Sequence, residues 1–235
     1  MLDPINVTPR PGAGLETGSG IAPQLKRPQG QNLLLGTVPP AVSYSPGVYY
    51  AGRMEADSRK QARLRADGGE IAFFGDSNID GLDLGEIPFA SNFGIGGDTI
   101  EGLIYRLRSG SYSCLTNARA IVLAGTPLNN LTQESPNIAA IEGLYSSVMN
   151  YLTGPLVIVP PTRTSVTTYN SNISAFNAWL LSTYESRAQC EIVDISDLQN
   201  SSGAALPGYL LDYAHWGPKQ QRIVLDKIKA ALRKV

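Results

Sequence analysis

From residue 70 onward the chain alternates short apolar runs with longer amphipathic stretches. Five runs, 71–74 (IAFF), 89–93 (FASNF), 120–123 (AIVL), 156–159 (LVIV) and 192–195 (IVDI), are too short for helices and rich in β-branched or aromatic residues. They read as strands. Between and after them, 99–107, 137–152, 172–187 and 218–233 read as helices. In the second of these, Ile138, Ile141, Leu144, Tyr145 and Val148 recur at three- and four-residue intervals, and in the last Ile223, Val224, Ile228, Ala231 and Leu232 do so. Strands that are apolar throughout, alternating with helices, predict a parallel sheet covered on both faces. Ligands of such sheets bind beyond the carboxyl ends of the strands, which singles out the loops that follow each run.

Residues 1–69 follow another pattern. They hold eight of the 16 prolines, many glycines, and eight basic against five acidic residues, a local excess of three positive charges. Residues 42–50 (VSYSPGVYY) read as two β-prone runs around a Pro-Gly turn, and 53–65 as a charge-rich helix serving as a solvated connector. The reading divides the chain near residue 69, into an N-terminal arm (1–69) and a domain (70–235). The arm is either a flexible leader or a tether to a protein partner or a second copy of the chain.

Composition narrows the chemistry. With 43% hydrophobic residues in 235, the chain has enough apolar material for one core. Lys and Arg total 19 against 20 Asp and Glu, which argues against a nucleic-acid binder that neutralises phosphates. Two cysteines exclude a disulfide scaffold and a Cys-rich zinc module. The single histidine, His215, excludes a multi-histidine metal site and must serve any step that needs an imidazole. No run approaches the roughly 18 apolar residues of a membrane span, and the first residues lack the basic and apolar regions of a secretory signal. A cytoplasmic or virion-associated protein with no membrane insertion is the expectation.

The loops after the strands carry polar groups of four kinds. Gly75-Asp76-Ser77-Asn78 places a serine hydroxyl in a tight strand-to-helix turn; alone, it is as consistent with a helix cap. Gly94-Ile95-Gly96-Gly97-Asp98-Thr99 offers backbone N–H groups that can approach an anion closely. Gly125-Thr126-Pro127-Leu128-Asn129-Asn130 offers side-chain amides, and Asp212-Tyr213-Ala214-His215 a base with a carboxylate three residues before it. Each has a plain structural explanation. Together, in this order, they supply a nucleophile, oxyanion donors, and a base with its orienting group, the set that acyl transfer needs.

At this point residues 70–235 resemble the SGNH/GDSL hydrolases. IAFFGDSNIDGL is similar to the family's first block, SNFGIGGDT to the second, VLAGTPLNN to the third and LLDYAHWGPKQQ to the fifth. The resemblance implies a three-layer α/β/α, flavodoxin-like fold with a five-stranded parallel sheet. It implies Ser77 as nucleophile, His215 as base and Asp212 as its partner. The oxyanion donors would be the N–H groups of Ser77 and Gly97, with Gly96 as the fallback, plus a side-chain amide. In the third block Pro127 stands at the family's asparagine position, so the amide falls to Asn129 or Asn130, with Asn129 the first choice. The reaction implied is serine ester hydrolysis without metal or cofactor. Gly97 follows Ser77 by only twenty positions, which leaves little room for a lipid-binding insertion. With that, the resemblance implies small acyl groups, such as O-acetyl on a carbohydrate, as substrates, and Tyr209, Tyr213 and Trp216 are candidates to stack on a sugar. The alternative from another class is a virion or tail-type structural or adaptor protein that binds a surface glycan without turning it over.

Overall fold

The computed structural model describes residues 35–67, 70–109, 112, 115–116 and 118–235, with residues 58–67 described as helical backbone alone. The expected arm falls outside the described residues over 1–34. The compact unit that holds the core runs from Gln31 to Val235, so it includes much of what composition alone assigns to the arm.

Five parallel strands, β1 (Ile71–Gly75), β2 (Ala90–Gly94), β3 (Ala120–Ala124), β4 (Leu156–Val159) and β5 (Cys190–Ile192), form one sheet in the order β2-β1-β3-β4-β5. This is the flavodoxin-like order, with a topological switch point between β1 and β3. Alternation along each strand sends side chains to opposite faces. Ala72, Phe74, Ile121, Leu123, Leu156 and Ile158 pack on one side with α3 (Ile100–Arg108), α5 (Ile138–Tyr151) and α6 (Thr167–Tyr184). Ile71, Phe73, Val122, Val157 and Val159 pack on the other with α7 (Pro218–Ala231). The result is the three-layer α/β/α arrangement.

Local chemistry explains the helix starts. Thr99 caps α3 by accepting from the Gly102 N–H at 3.2 Å, Asn137 caps α5 by accepting from Ala140 N–H at 3.1 Å, and Pro218 opens α7 where no N–H is needed. Two short helices, α2 (Ser77–Asp80) and α4 (Leu128–Leu131), follow β1 and β3 directly. Gly94 lets α2 lie against β2, because a Cβ there would come within 2.3 Å of the Asp80 nitrogen.

Four sequence expectations shift, the first being the helix expected over 172–187, which runs over Thr167–Tyr184. The second strand begins at Ala90, because Phe89 takes a left-handed φ of 59° in the preceding turn and is exposed. The fifth strand runs over Cys190–Ile192 instead of 192–195. Val193 still donates to the Ile158 carbonyl, but Asp194 accepts from the Ser196 N–H at 2.8 Å, and this turn ends the pairing. Residues 42–50 form no hairpin. Val48 begins a 20-residue helix, α1 (Val48–Asp67).

That helix is also more than a solvated connector. Tyr50 and Asp57 are buried, and Tyr50, Arg53 and Asp57 lie at helical spacing on one face. Tyr50 Oη donates to Asp98 Oδ1 at 3.0 Å, Arg53 pairs with Asp80, and Asp57 accepts from Tyr112 Oη at 2.8 Å. The contact is polar, so hydrophobic periodicity does not reveal it.

At the centre of these contacts Arg106 and Asp98 form an ion pair with both side chains fully buried. Arg106 also donates to the Phe93 carbonyl and lies against the rings of Phe74 and Tyr50. Removing one partner of a buried pair strands the other charge, which costs about 3–5 kcal/mol. Arg106→Met should therefore lower the unfolding free energy in urea by about that amount. Arg106→Met with Asp98→Leu should regain part of the loss, whereas an additive double loss would show that the pair itself is not the source.

Candidate active site

The loops after β1, β2 and β3 and the loop before α7 meet over the carboxyl edge of the sheet. Ser77 is the first residue of α2 and half-buried, and Asp76 caps this helix by accepting from the Asn78 N–H at 2.9 Å. Across 138 positions of sequence, His215 Nε2 lies 2.9 Å from Ser77 Oγ. On the other side of the ring, Nδ1 lies 2.6 Å from Asp212 Oδ2. An ionised carboxylate only accepts, so Nδ1 carries the proton of the neutral ring and Nε2 presents its lone pair to the serine hydroxyl.

Asp212 holds its own geometry through the backbone. Its Oδ1 accepts from the N–H groups of Ala214 at 2.8 Å and His215 at 2.9 Å. Those two bonds, with the His215 side chain, hold its carboxyl down to about 2 although it is largely exposed. The residue after the histidine supplies the anchor. Trp216 is buried, its N–H donates to Asn78 Oδ1 at 2.8 Å, and its indole N–H donates to Thr162 Oγ1 at 2.7 Å. The neighbours of Ser77 and His215 are thus bonded directly to each other. Asn78 is a positioning residue to which the sequence reading gives no role; its place beside Ser77 is the only signal, and nothing in the sequence names its partner.

Gly97 adopts a φ of 76°, which disfavours any other residue, and among the described residues its N–H has no hydrogen-bond partner. The Gly96 N–H is occupied, donating to Asp80 Oδ2 at 3.1 Å. The two asparagines separate cleanly. Asn130 is buried, accepting from the Ile100 N–H at 2.9 Å and donating to Glu101 Oε2 at 2.8 Å. Asn129 donates one amide hydrogen to the Asp98 carbonyl at 2.8 Å and has a second to offer.

Ser77, Gly97, Asn129 and His215 line one cavity of about 380 Å³, together with Tyr49, Asn78, Gly96, Leu128, Thr132, Tyr213 and Ala214. Of the three aromatic candidates, Tyr213 reaches this cavity. Trp216 is core, and Tyr209 packs against the core with Lys219 Nζ 4.6 Å from its ring centre. Tyr49, from α1, was not among the candidates. Among the described residues no group of three or more His, Cys, Asp and Glu is placed to hold a metal ion, and no helix is long and apolar enough to cross a membrane.

A second carboxylate beneath the serine has the opposite environment. Asp76 is buried, its Oδ2 has no hydrogen-bond partner, and burial pushes its carboxyl up to about 6, with Asp98 adding to the rise and the Asn78 N–H opposing it. The folded state therefore holds this proton more tightly than the unfolded chain does. The contribution is complete below the ordinary value of 3.8 and is lost as pH rises through about 6. Asp76→Asn cannot ionise, so its unfolding free energy relative to the native sequence should rise by up to about 3 kcal/mol between roughly pH 3.5 and 7.5. Urea titrations at both pH values test this; an offset that does not change with pH would contradict it.

No protein-family model matches the chain, and no curated protein matches its sequence. Solved structures do match its fold. A GDSL-like lipase from Bacteroides thetaiotaomicron superposes with a TM-score of 0.63 at 16% identity, over 79% of this chain and 98% of the other. A member of the lipolytic G-D-S-L family from Veillonella parvula gives 0.56 at 16%, over 71% and 100%. A catalytic mutant of an acetylxylan esterase from Geobacillus stearothermophilus gives 0.51 at 12%, over 69% and 93%. With the strand order and flanking helices above, these likenesses show that the chain has the SGNH/GDSL hydrolase fold.

Proposed function

We propose that the protein is a serine ester hydrolase acting on small acyl groups, O-acetyl on carbohydrate foremost. The observation that carries the reading is His215 bridging Ser77 and Asp212 at 2.9 and 2.6 Å, over the cavity that Gly97 and Asn129 line. A non-catalytic site has no need of a hydroxyl, an imidazole and a carboxylate in this sequence and at these distances.

In the first step Ser77 Oγ bonds to the ester carbonyl carbon as its proton passes to His215 Nε2. The carbonyl π pair moves onto oxygen, and the N–H groups of Ser77 and Gly97 with the second Asn129 amide hydrogen receive the resulting oxyanion. Collapse breaks the bond to the alcohol oxygen, which takes the proton from Nε2 and leaves. Water then attacks the acyl-serine by the same route, giving its proton to His215 and releasing the acid and free Ser77. Asp212 stays ionised throughout, keeping the Nδ1–H oriented and stabilising the imidazolium.

Two features support a small acyl group on a bulky alcohol. The cavity is near the lower end of the usual small-ligand range of about 300–1,000 Å³. The side chains of His215 and Asp212 are 41% and 47% exposed, so the leaving-group side is open enough for a polymer to approach. The adaptor reading, with residues 1–69 tethering a glycan-binding domain to a partner or second copy, rests on the composition of the arm.

The decisive test is release of acetate from acetylated polysaccharide, with p-nitrophenyl acetate as control, by the native sequence and by Ser77→Ala. Ser77 should also take up a fluorophosphonate in the folded protein; unchanged hydrolysis after Ser77→Ala would falsify the proposal. His215→Ala should lower kcat/KM by about 10⁴-fold or more, since the chain has no second imidazole. Asn129→Ala should lower kcat by about 10²–10³-fold, with Asn130→Ala acting mainly on stability. An equal loss of kcat in both would remove Asn129 from the oxyanion hole.

A further inference from the structure

The cavity wall contributed by α1 has no part in the chemistry proposed above. Tyr49 projects from the first turn of this helix, is 58% exposed, and lines the same cavity as Ser77 and His215. Its hydroxyl is already committed, donating to Asp80 Oδ2 at 2.7 Å. The same oxygen accepts from the Gly96 N–H at 3.1 Å, and Arg53, one turn further along α1, pairs with the other carboxylate oxygen. One carboxylate therefore locks helix, tyrosine and glycine loop together. What Tyr49 offers to the cavity is its ring.

We infer that Tyr49 determines specificity for the alcohol part of the substrate, its ring receiving the C–H face of the pyranose that carries the acyl group. The inference rests on the esterase reading of the same site and deepens it. Tyr213, 49% exposed, lines the same cavity beside the base. Two tyrosines left half open at the mouth of a cavity would be a poor arrangement for a freely hydrated entrance, since each keeps a broad apolar face in water. A sugar ring suits such faces: its C–H groups carry partial positive charge toward the negative face of the aromatic ring, while its hydroxyls stay wet. The cavity holds an acyl group and about one such ring. A fixed aromatic also loses little rotamer freedom on binding, because Asp80 has already oriented it. That bond is also the largest cause raising the Tyr49 phenol above its ordinary range, so it remains a neutral donor.

The test compares an acetylated xylo-oligosaccharide with ethyl acetate, which has no ring. Tyr49→Ala should lower kcat/KM on the oligosaccharide about tenfold more than on ethyl acetate, chiefly through KM. Tyr49→Phe, which keeps the ring and loses the bond to Asp80, should retain most of that selectivity. A direct readout uses Ser77→Ala, in which calorimetric binding of the deacetylated xylo-oligosaccharide should weaken about tenfold when Tyr49→Ala is added. Equal losses on both esters would place Tyr49 in support of the glycine loop and overturn the inference, as would unchanged selectivity. If the native sequence hydrolyses neither ester and Ser77 takes up no fluorophosphonate, the esterase reading fails. The binding measurement then decides separately whether Tyr49 meets a sugar.

Discussion

The buried ion pair between Asp98 and Arg106 is the constraint on which the upper edge of the sheet depends. Two charges without water are costly unless hydrogen bonds meet their remaining donors and acceptors, and of this pair the Arg106 Nε is left without a partner. Asp98 takes Arg106 and the Tyr50 hydroxyl on its carboxylate, and Arg106 spends a further donor on the Phe93 carbonyl. The Asp98 carbonyl then holds Asn129. Through one residue, the end of β2, α3, the docked helix α1 and the short helix after β3 are brought to a common point. Gly97 immediately precedes it, so the N–H proposed to meet the oxyanion inherits a position set by a charge pair beneath it.

Ser77 and His215, proposed as nucleophile and base, are related by a different device. Ser77 and His215 lie on loops far apart in the sequence, and a misplacement of an ångström between them would cost much of any rate. The bond from the Trp216 N–H to Asn78, and that of its indole to Thr162, tie the two loops through a core residue. Two carboxylates near the serine meet opposite environments. Asp212 is largely exposed and held ionised by backbone donors, whereas Asp76 is buried with an oxygen unmet. Burial and donor count, rather than residue type, separate them.

What was legible in the sequence follows from which forces leave a periodic trace. Strands buried on both faces must be apolar at every position, so β1, β3 and β4 stand out within a residue of their observed bounds. Edge strands are less constrained. Phe89 looks like strand and sits in a left-handed turn, and Asp194 and Ile195 look like strand where an Asx turn ends the pairing. The docking of α1 leaves no such trace, because Tyr49, Tyr50, Arg53 and Asp57 act through hydrogen bonds and charge and their helix is otherwise polar.

The sequence by itself determined the alternation of elements, the loops that carry the candidate polar groups, and the identity of the one possible imidazole. These are properties of composition and order along the chain, and the chain carries them before it folds. Only the tertiary structure buried Asn130 while leaving Asn129 on the cavity, bonded the Gly96 N–H to Asp80, gave Asn78 its partner, and brought Tyr49 to the cavity. Each of those outcomes depends on what lies across the fold from the residue, and hydrogen bonds between residues 16 to 138 positions apart have no pattern that a linear reading can detect.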